Sequence, residues 1–318
     1  SYEPLTSSEF LVVGVENGTK IDVISPGGSA SSINLDEGDA YQFKSNNDFT
    51  GYYLSSDNYG GKPFAVFSGN QCVKVPPNKV ACDHIVEQLF PLRSWRREFV
   101  TVPLKTRSGD TYRILASRNG TQVKVNGTTV ASLDAGQFHE LILNSPSYIK
   151  ANYPISVAQY SNGQAYDNAV ADPFMIMLSP VDQTRYEITF NVFDFPNISN
   201  NYLNIVTKTS CIGDLRLDGA DISSAFSQVP FDPSYSTAQL SISEGPHRLI
   251  SNDECGFNAY VYGFGDYDSY GYSAGTSLDT LSIDFVVNTN CAGEETEFFV
   301  KSKPYPIIDY KWDFGDGS

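Results

Sequence analysis

No stretch of this sequence is apolar for long enough to span a bilayer, and no amino-terminal signal peptide is visible. No window keeps a 3.6-residue apolar period over a dozen positions. The best helix candidate is short, Asp83 to Leu89. Basic residues are scarce: 21 Lys and Arg stand against 37 Asp and Glu, a net charge of −16. Such a field repels phosphate backbones and anionic membrane surfaces, so neither nucleic acid nor direct membrane insertion is expected. The three histidines, His84, His139 and His247, are far apart, and neither His-X-X-X-His nor Cys-X-X-Cys spacing occurs. Zinc therefore has no sequence support. Gly263-Phe264-Gly265 has no helix after it to make a phosphate cradle, and no Gly-X-Ser-X-Gly elbow is present. No catalytic residue is assigned.

What is present is repetition. Glu9-Phe10-Leu11-Val12-Val13-Gly14-Val15, followed by Asn17-Gly18-Thr19-Lys20-Ile21-Asp22-Val23, matches Thr111-Tyr112-Arg113-Ile114-Leu115-Ala116-Ser117, followed by Asn119-Gly120-Thr121-Gln122-Val123-Lys124-Val125. A more diverged copy starts at Tyr202-Leu203-Asn204-Ile205-Val206-Thr207. Val123 and Val125 alternate with Gln122 and Lys124, the period of two of a half-buried strand. Asn-Gly pairs flank that strand and suit turns with positive φ. Gly38, Gly136 and Gly245 each precede a new alternating run and are expected in one equivalent turn. The chain reads as all-β: three successive related β-meander or β-sandwich-like units over 1–105, 106–200 and 201–276, then a partial domain over 277–318.

Five cysteines suggest an oxidising compartment, hence a secreted or cell-surface location. Cys72 and Cys82 bracket Pro76-Pro77, and Cys211 and Cys255 fall near the first and last strands of the third unit, so these two bridges are expected. Cys291 is left over. The chain ends at Asp313-Phe314-Gly315-Asp316-Gly317-Ser318, which reads as mid-domain, so further domains and a partner for Cys291 are expected beyond Ser318. Asn17, Asn119, Asn126 and Asn197 each begin an Asn-X-Ser/Thr pattern, but three of the four coincide with Asn-Gly turns, and turn chemistry explains those three.

Cys82-Asp83-His84-Ile85-Val86-Glu87-Gln88, Trp95 and Glu98-Phe99-Val100-Thr101-Val102-Pro103-Leu104 resemble the signature of the IgG Fc-binding protein N-terminal domain family. So do Asp172-Pro173-Phe174-Met175-Ile176-Met177 and Tyr262-Gly263-Phe264-Gly265 with Ser269-Tyr270-Gly271-Tyr272. The resemblance spans residues 5–275, with Arg96 standing where the family usually has glycine after the tryptophan. Tyr310-Lys311-Trp312-Asp313-Phe314-Gly315-Asp316-Gly317 resembles the start of a PKD domain, an immunoglobulin-like β-sandwich, whose first strand would lie near Leu281–Val287. Large bacterial surface or secreted proteins, including adhesins of gliding bacteria, often pair two such modules. Binding of antibody Fc is not implied, because no residue-level Fc motif carries over.

The resemblance and the repeats together imply a non-catalytic extracellular module that binds a glycan or protein ligand. The competing readings are a carbohydrate-active enzyme or its ancillary module, and a structural spacer. Tyr262, Tyr267, Tyr270 and Tyr272, set among glycines with Phe264, are the candidate ligand-binding aromatics; the alternative is a structural clasp closing the third unit. No cofactor is expected, with loop carboxylates at Asp218, Asp221, Asp266 and Asp268 the only candidates for calcium. Asp218-Gly219 also reads as a hairpin turn. Asp83, His84 and Glu87 could form a metal corner or, more simply, a turn beside the first disulfide.

Overall fold

The computed structural model describes residues 1–278, apart from residues 81, 253 and 254 and the side chain of Ser199, together with the backbone of 284–288 and 297–301. Residues Ser1–Ser277 pack as one body, so the expected boundaries at 105/106 and 200/201 fall inside it. The body is all-β, and among the described residues no helix is long and apolar enough to cross a membrane.

The first unit comprises β1 (Ser8–Gly14), β2 (Thr19–Ile24), β3 (Ala30–Leu35), β4 (Ala40–Ser45), β5 (Tyr53–Ser55), β6 (Phe64–Val73) and β7 (Asp83–Gln88). β1 lies between β4 and β6, β7 extends β6, and β2 pairs with β3 and β5 in a second sheet. The second unit comprises β8 (Arg96–Thr101), β9 (Asp110–Ala116), β10 (Thr121–Val125), β11 (Thr128–Leu133), β12 (Phe138–Leu143), β13 (Ser147–Tyr160) and β14 (Met175–Met177). Here β9 lies between β12 and β13, and the long β13 also pairs with β8, β10 and β14. The third unit comprises β15 (Glu187–Val192), β16 (Ile198–Lys208), β17 (Arg216–Leu217), β18 (Ala220–Asp221), β19 (Ser227–Val229), β20 (Asp232–Ile242), β21 (Gly245–Ile250), β22 (Phe257–Gly265) and β23 (Asp268–Ser273). Its sheets run β19-β20-β16-β22-β23 and β15-β21-β17-β18.

The repeat extends to single hydrogen bonds. In the first unit Asn17 Oδ1 accepts from Glu37 N at 3.0 Å, and Asp36 Oδ1 accepts from Gly18 N at 2.7 Å. In the second, Asn119 Oδ1 accepts from Ala135 N at 3.0 Å, and Asp134 Oδ1 accepts from Gly120 N at 3.3 Å. Gly38 N donates to Gly14 O at 3.0 Å, as Gly136 N does to Ala116 O at 2.9 Å. These glycines have φ of 82° and 78°, a region costly for a side chain. The third copy departs from this plan. Gly245 also has positive φ, 105°, but it opens β21 rather than a strand beside the central one. The strand alongside β16, β20, precedes this glycine, whereas β4 and β12 follow theirs. Gly245, expected in the same turn as Gly38 and Gly136, therefore marks a different joint.

The central sheet of the third unit is covered on both faces. Leu203, Ile205, Phe257, Ala259 and Val261 face Ile188, Phe190, Leu215 and Leu249 of their own second sheet. Tyr202, Val206, Tyr260, Tyr262 and Phe264 join the core of the second unit around Ile114, Val157 and Ile176. Burial on both faces explains why Phe257–Gly265 is buried throughout instead of alternating. The first and second units meet at Arg113, which donates to Asp48 and Glu140 at 2.7 Å each. They also meet where the turn at Gly51 lies so close to the Gly136 carbonyl oxygen that a Cβ on Gly51 would overlap it.

Cys72–Cys82 and Cys211–Cys255 are bridged, with Cα–Cα distances of 5.4 and 5.3 Å. Antiparallel pairing of Thr207 with Phe257 puts the end of β16 beside the start of β22, which brings the second pair together. The best helix candidate, Asp83–Leu89, forms strand β7 over Asp83–Gln88. An isolated two-turn helix lacks the length to sustain itself. Beside β6 the segment gains ladder bonds and buries Ile85 at 1% exposure. At Trp95-Arg96, the Arg96 guanidinium donates to the carbonyls of Arg93 and Trp95, bracing the turn where the family has glycine.

Residues Leu278–Ser318 form a second body. Its described part is an antiparallel pair, β24 (Asp284–Asn288) and β25 (Glu297–Lys301), with Asp284 opposite Lys301. Cys291 and the Tyr310–Gly317 motif lie outside the described residues.

Candidate aromatic binding face

The four candidate tyrosines separate by strand register. Tyr262, on β22, is fully buried; its hydroxyl donates to Asn204 Oδ1 at 2.8 Å and accepts from Lys105 N at 2.9 Å. Asn204 in turn donates to the carbonyls of Val102 and Pro103. Tyr262 is thus a core tie between the second and third units, on the face of β22 that packs against the second unit. Tyr267 occupies the β22–β23 turn with φ 56° and is 84% exposed. Tyr270 and Tyr272 are half-buried on one face of β23.

Gly271, between them, faces the other way, where a Cβ would overlap the Phe174 ring. Ser269 Oγ donates to Asp172 O at 2.6 Å, and Phe174 lies 6.0 Å from Phe264. The two tyrosine- and glycine-rich segments therefore close against the Asp172–Met177 segment. This contact occupies only one face of β23.

On the other face Tyr270 and Tyr272 meet two phenylalanines that the sequence reading passed over. Phe193 and Phe195, in the connector from β15 to β16, are 47% and 41% exposed. Phe193 lies 5.4 Å from Phe195, 6.3 Å from Tyr270 and 6.4 Å from Tyr272, and the two tyrosine rings stack 6.1 Å apart. Phe195 lies 5.9 Å from Tyr270. Gly263 makes room for this group, since a Cβ there would come within 2.6 Å of Tyr270 Cε1. The sequence signal was Phe193-Asp194-Phe195-Pro196, two large rings on either side of an acid, closed by a proline that ends regular pairing. The tyrosine hydroxyls are committed: Tyr270 donates to Asn201 Oδ1 and Tyr272 to Asn191 O, each at 2.7 Å. Burial pushes the Tyr272 phenol up to about 12, and burial, Tyr272 and Glu244 push Tyr270 higher still, so both stay neutral.

The calcium candidates lie in two separate turns. Asp218 and Gly219, φ 52° and 83°, form the hairpin turn between β17 and β18. Asp218 Oδ2 meets His247 Nδ1 at 2.7 Å and its Oδ1 accepts from Arg248 N at 2.8 Å. Asp221 accepts from Ser223 N at 2.8 Å and faces Arg216 at 3.4 Å. Asp266 and Asp268 flank Tyr267. Among the described residues no group of three or more His, Cys, Asp or Glu side chains is placed to hold a metal ion. On β7, His84 faces out while Glu87 turns inward beside Ile85, so Asp83, His84 and Glu87 do not converge.

Ser243, His247 and Asp218 have the composition of a nucleophilic triad without its geometry. His247 Nε2 lies 2.9 Å from the Ser243 carbonyl and 3.5 Å from its hydroxyl. With Asp218 on Nδ1, both ring nitrogens face structural oxygens and neither is left to activate Ser243. Three acids come together electrostatically where β7, β14 and β23 adjoin: burial, Asp83 and Asp268 raise Asp172 to about 6.

A family model described as IgGFc binding protein matches residues 1–263. The human IgGFc-binding protein is 24% identical over 303 residues, which cover 90% of this chain and 5% of that protein. The chain thus spans a small fraction of the curated relative it matches. No solved structure matches.

Proposed function

The chain belongs to the IgGFc binding protein family, and from that membership we propose that it is a non-catalytic, extracellular binding module of a larger multidomain protein, secreted or displayed at a cell surface. Its ligand is a protein. The exposed rings of Phe193 and Phe195 over Tyr270 and Tyr272 carry this reading, because large rigid aromatics at a surface dominate protein recognition. Two disulfides fit an oxidising compartment. The human relative is far longer than this chain, which covers 5% of it, and this supports a larger multidomain protein such as a surface adhesin, where repeated modules convert weak contacts into avidity.

Immobilised protein should be tested against immunoglobulin Fc, a mucin-type glycoprotein, a glycan array and a panel of polysaccharide substrates. Saturable capture of a protein ligand without product release is expected. Sugar or peptide release that disappears in Asp172→Asn would replace this reading with an enzyme. Silence on every ligand would favour a spacer.

A further inference from the structure

We propose that the aromatic face of the third unit seats an arginine- or lysine-bearing segment of the partner protein, with the cationic side chain laid across Phe193, Phe195, Tyr270 and Tyr272. This rests on the binding-module reading and adds the chemistry of the ligand.

Three observations carry it. The first is charge. Between Arg185 and Lys208, and again between Arg248 and Lys301, the sequence has no lysine or arginine. The elements that build the face contribute Asp194, set between the two phenylalanines, and Glu244, close enough to Tyr270 to act on its phenol. Against a net charge of −16, a cationic partner is the complementary one. The second is that several rings elsewhere already carry a cation of the chain. Lys20 sits 4.3 Å over Tyr59, Lys79 5.9 Å over Tyr166, Arg113 3.9 Å over Tyr2 and Arg118 5.8 Å over Tyr153. Among the described residues no cation of the chain is placed over Phe193, Phe195, Tyr270 or Tyr272, so these rings are open to a cation from outside. The third concerns the neutral alternative. A sugar needs a flat open ring and nearby hydroxyl partners. Phe193 and Phe195 are tilted 37° to each other, and both tyrosine hydroxyls are already bonded to Asn201 and Asn191.

The test is aromatic NMR on the full chain, titrated with a blocked glycine peptide carrying three arginines. The same peptide with citrulline, which keeps the shape and removes the charge, serves as control, alongside a glutamate version and a neutral N-acetylglucosamine oligomer. The arginine peptide should move the Phe193, Phe195, Tyr270 and Tyr272 resonances and bind about tenfold more tightly than the citrulline peptide. The double variant Phe193→Leu/Phe195→Leu, which keeps apolar bulk, should lose about tenfold, while Tyr41→Leu on the exposed part of β4 should change nothing. Equal affinity for citrulline, an unaffected double variant, no shift at these rings, or shifts produced by the sugar oligomer would each overturn the proposal. If a protein ligand is still captured while these rings stay silent, the module reading stands and only this site falls.

Discussion

Arg113, on the central strand of the second unit, donates to Asp48 of the first unit at 2.7 Å while its guanidinium lies 3.9 Å over Tyr2 and 4.3 Å over Phe138. One side chain, 8% exposed, thus adds an ionic tie between two repeats that also share an apolar core, Tyr2, Val73, Val75 and Ile85 packed with Ala158, Tyr160, Met175 and Met177. Arg113→Leu would leave Glu140 without its cation and Asp48 with only the amino terminus of Ser1. A loss of about 3–5 kcal/mol is expected, as for other broken buried pairs. Urea unfolding of the variant measures it, and a loss below about 1 kcal/mol, the range of surface pairs, would show that this tie is not a buried one.

Gly38 and Gly136 share a turn and a φ near 80°, but their surroundings differ. Nothing lies within 4 Å of a Cβ built at Gly38, whereas one at Gly136 meets Gly51 O at 3.1 Å. Gly38→Val should cost about 1–3 kcal/mol from backbone strain alone. Gly136→Val should cost more, because it also pushes against the first unit. Equal losses in thermal or chemical unfolding would mean that the Gly51 contact yields freely.

The two disulfides should contribute unequally. Closing the loop from Cys211 to Cys255 restricts the unfolded chain by about 4 kcal/mol, and the shorter loop from Cys72 to Cys82 by about 3 kcal/mol. Paired Cys→Ala variants, compared by denaturant midpoint, test the order. A larger loss from the shorter loop would point to native contacts rather than chain entropy.

Stability should fall as pH rises from about 4 to 8. Burial raises the Asp110 carboxyl to about 7, against hydrogen bonds from Leu104 N and Gln159, and burial raises Glu87 to about 8. A raised folded-state value means that the folded chain binds more protons than the unfolded one. The stabilisation is complete below the unfolded carboxylate range and is lost as pH climbs through the folded values. Asp110→Asn keeps an acceptor for Leu104 N and removes the titration. It should flatten the profile up to about pH 7; an unchanged profile would remove Asp110 as its source.

The repeats were legible because the bonds that define them are local. Asn17-Gly18 and Asn119-Gly120 write the turn into adjacent residues, and the alternation around Val123 writes the strand. The disulfides were legible because strand order alone brings Cys211 beside Cys255. What escaped the sequence was set by partners distant along the chain. Asp83–Gln88 became a strand because β6 offered a free edge. Gly245 looked equivalent to Gly136 but serves another joint, since β20 takes its place beside β16 before the turn and not after it. Tyr262 and Tyr270 are alike in sequence surroundings, yet one is core and the other borders the surface. The difference is which neighbour, Asn204 or Phe193, each ring meets.

The pairing of each central strand with the last long strand of its unit also imposes a timetable on synthesis. Phe10 waits for Ser68, Ile114 for Val157 and Ile205 for Ala259. At a ribosomal pace of about 5–20 residues per second, each of these apolar strands passes seconds with an unfilled edge. The third unit is the last of the three to close, because its central sheet packs between the second unit and its own second sheet and its strand β22 is made after both. Assembly of these three units therefore runs from the amino-terminal side, and the last of their sheets to close is the one that carries the aromatic face.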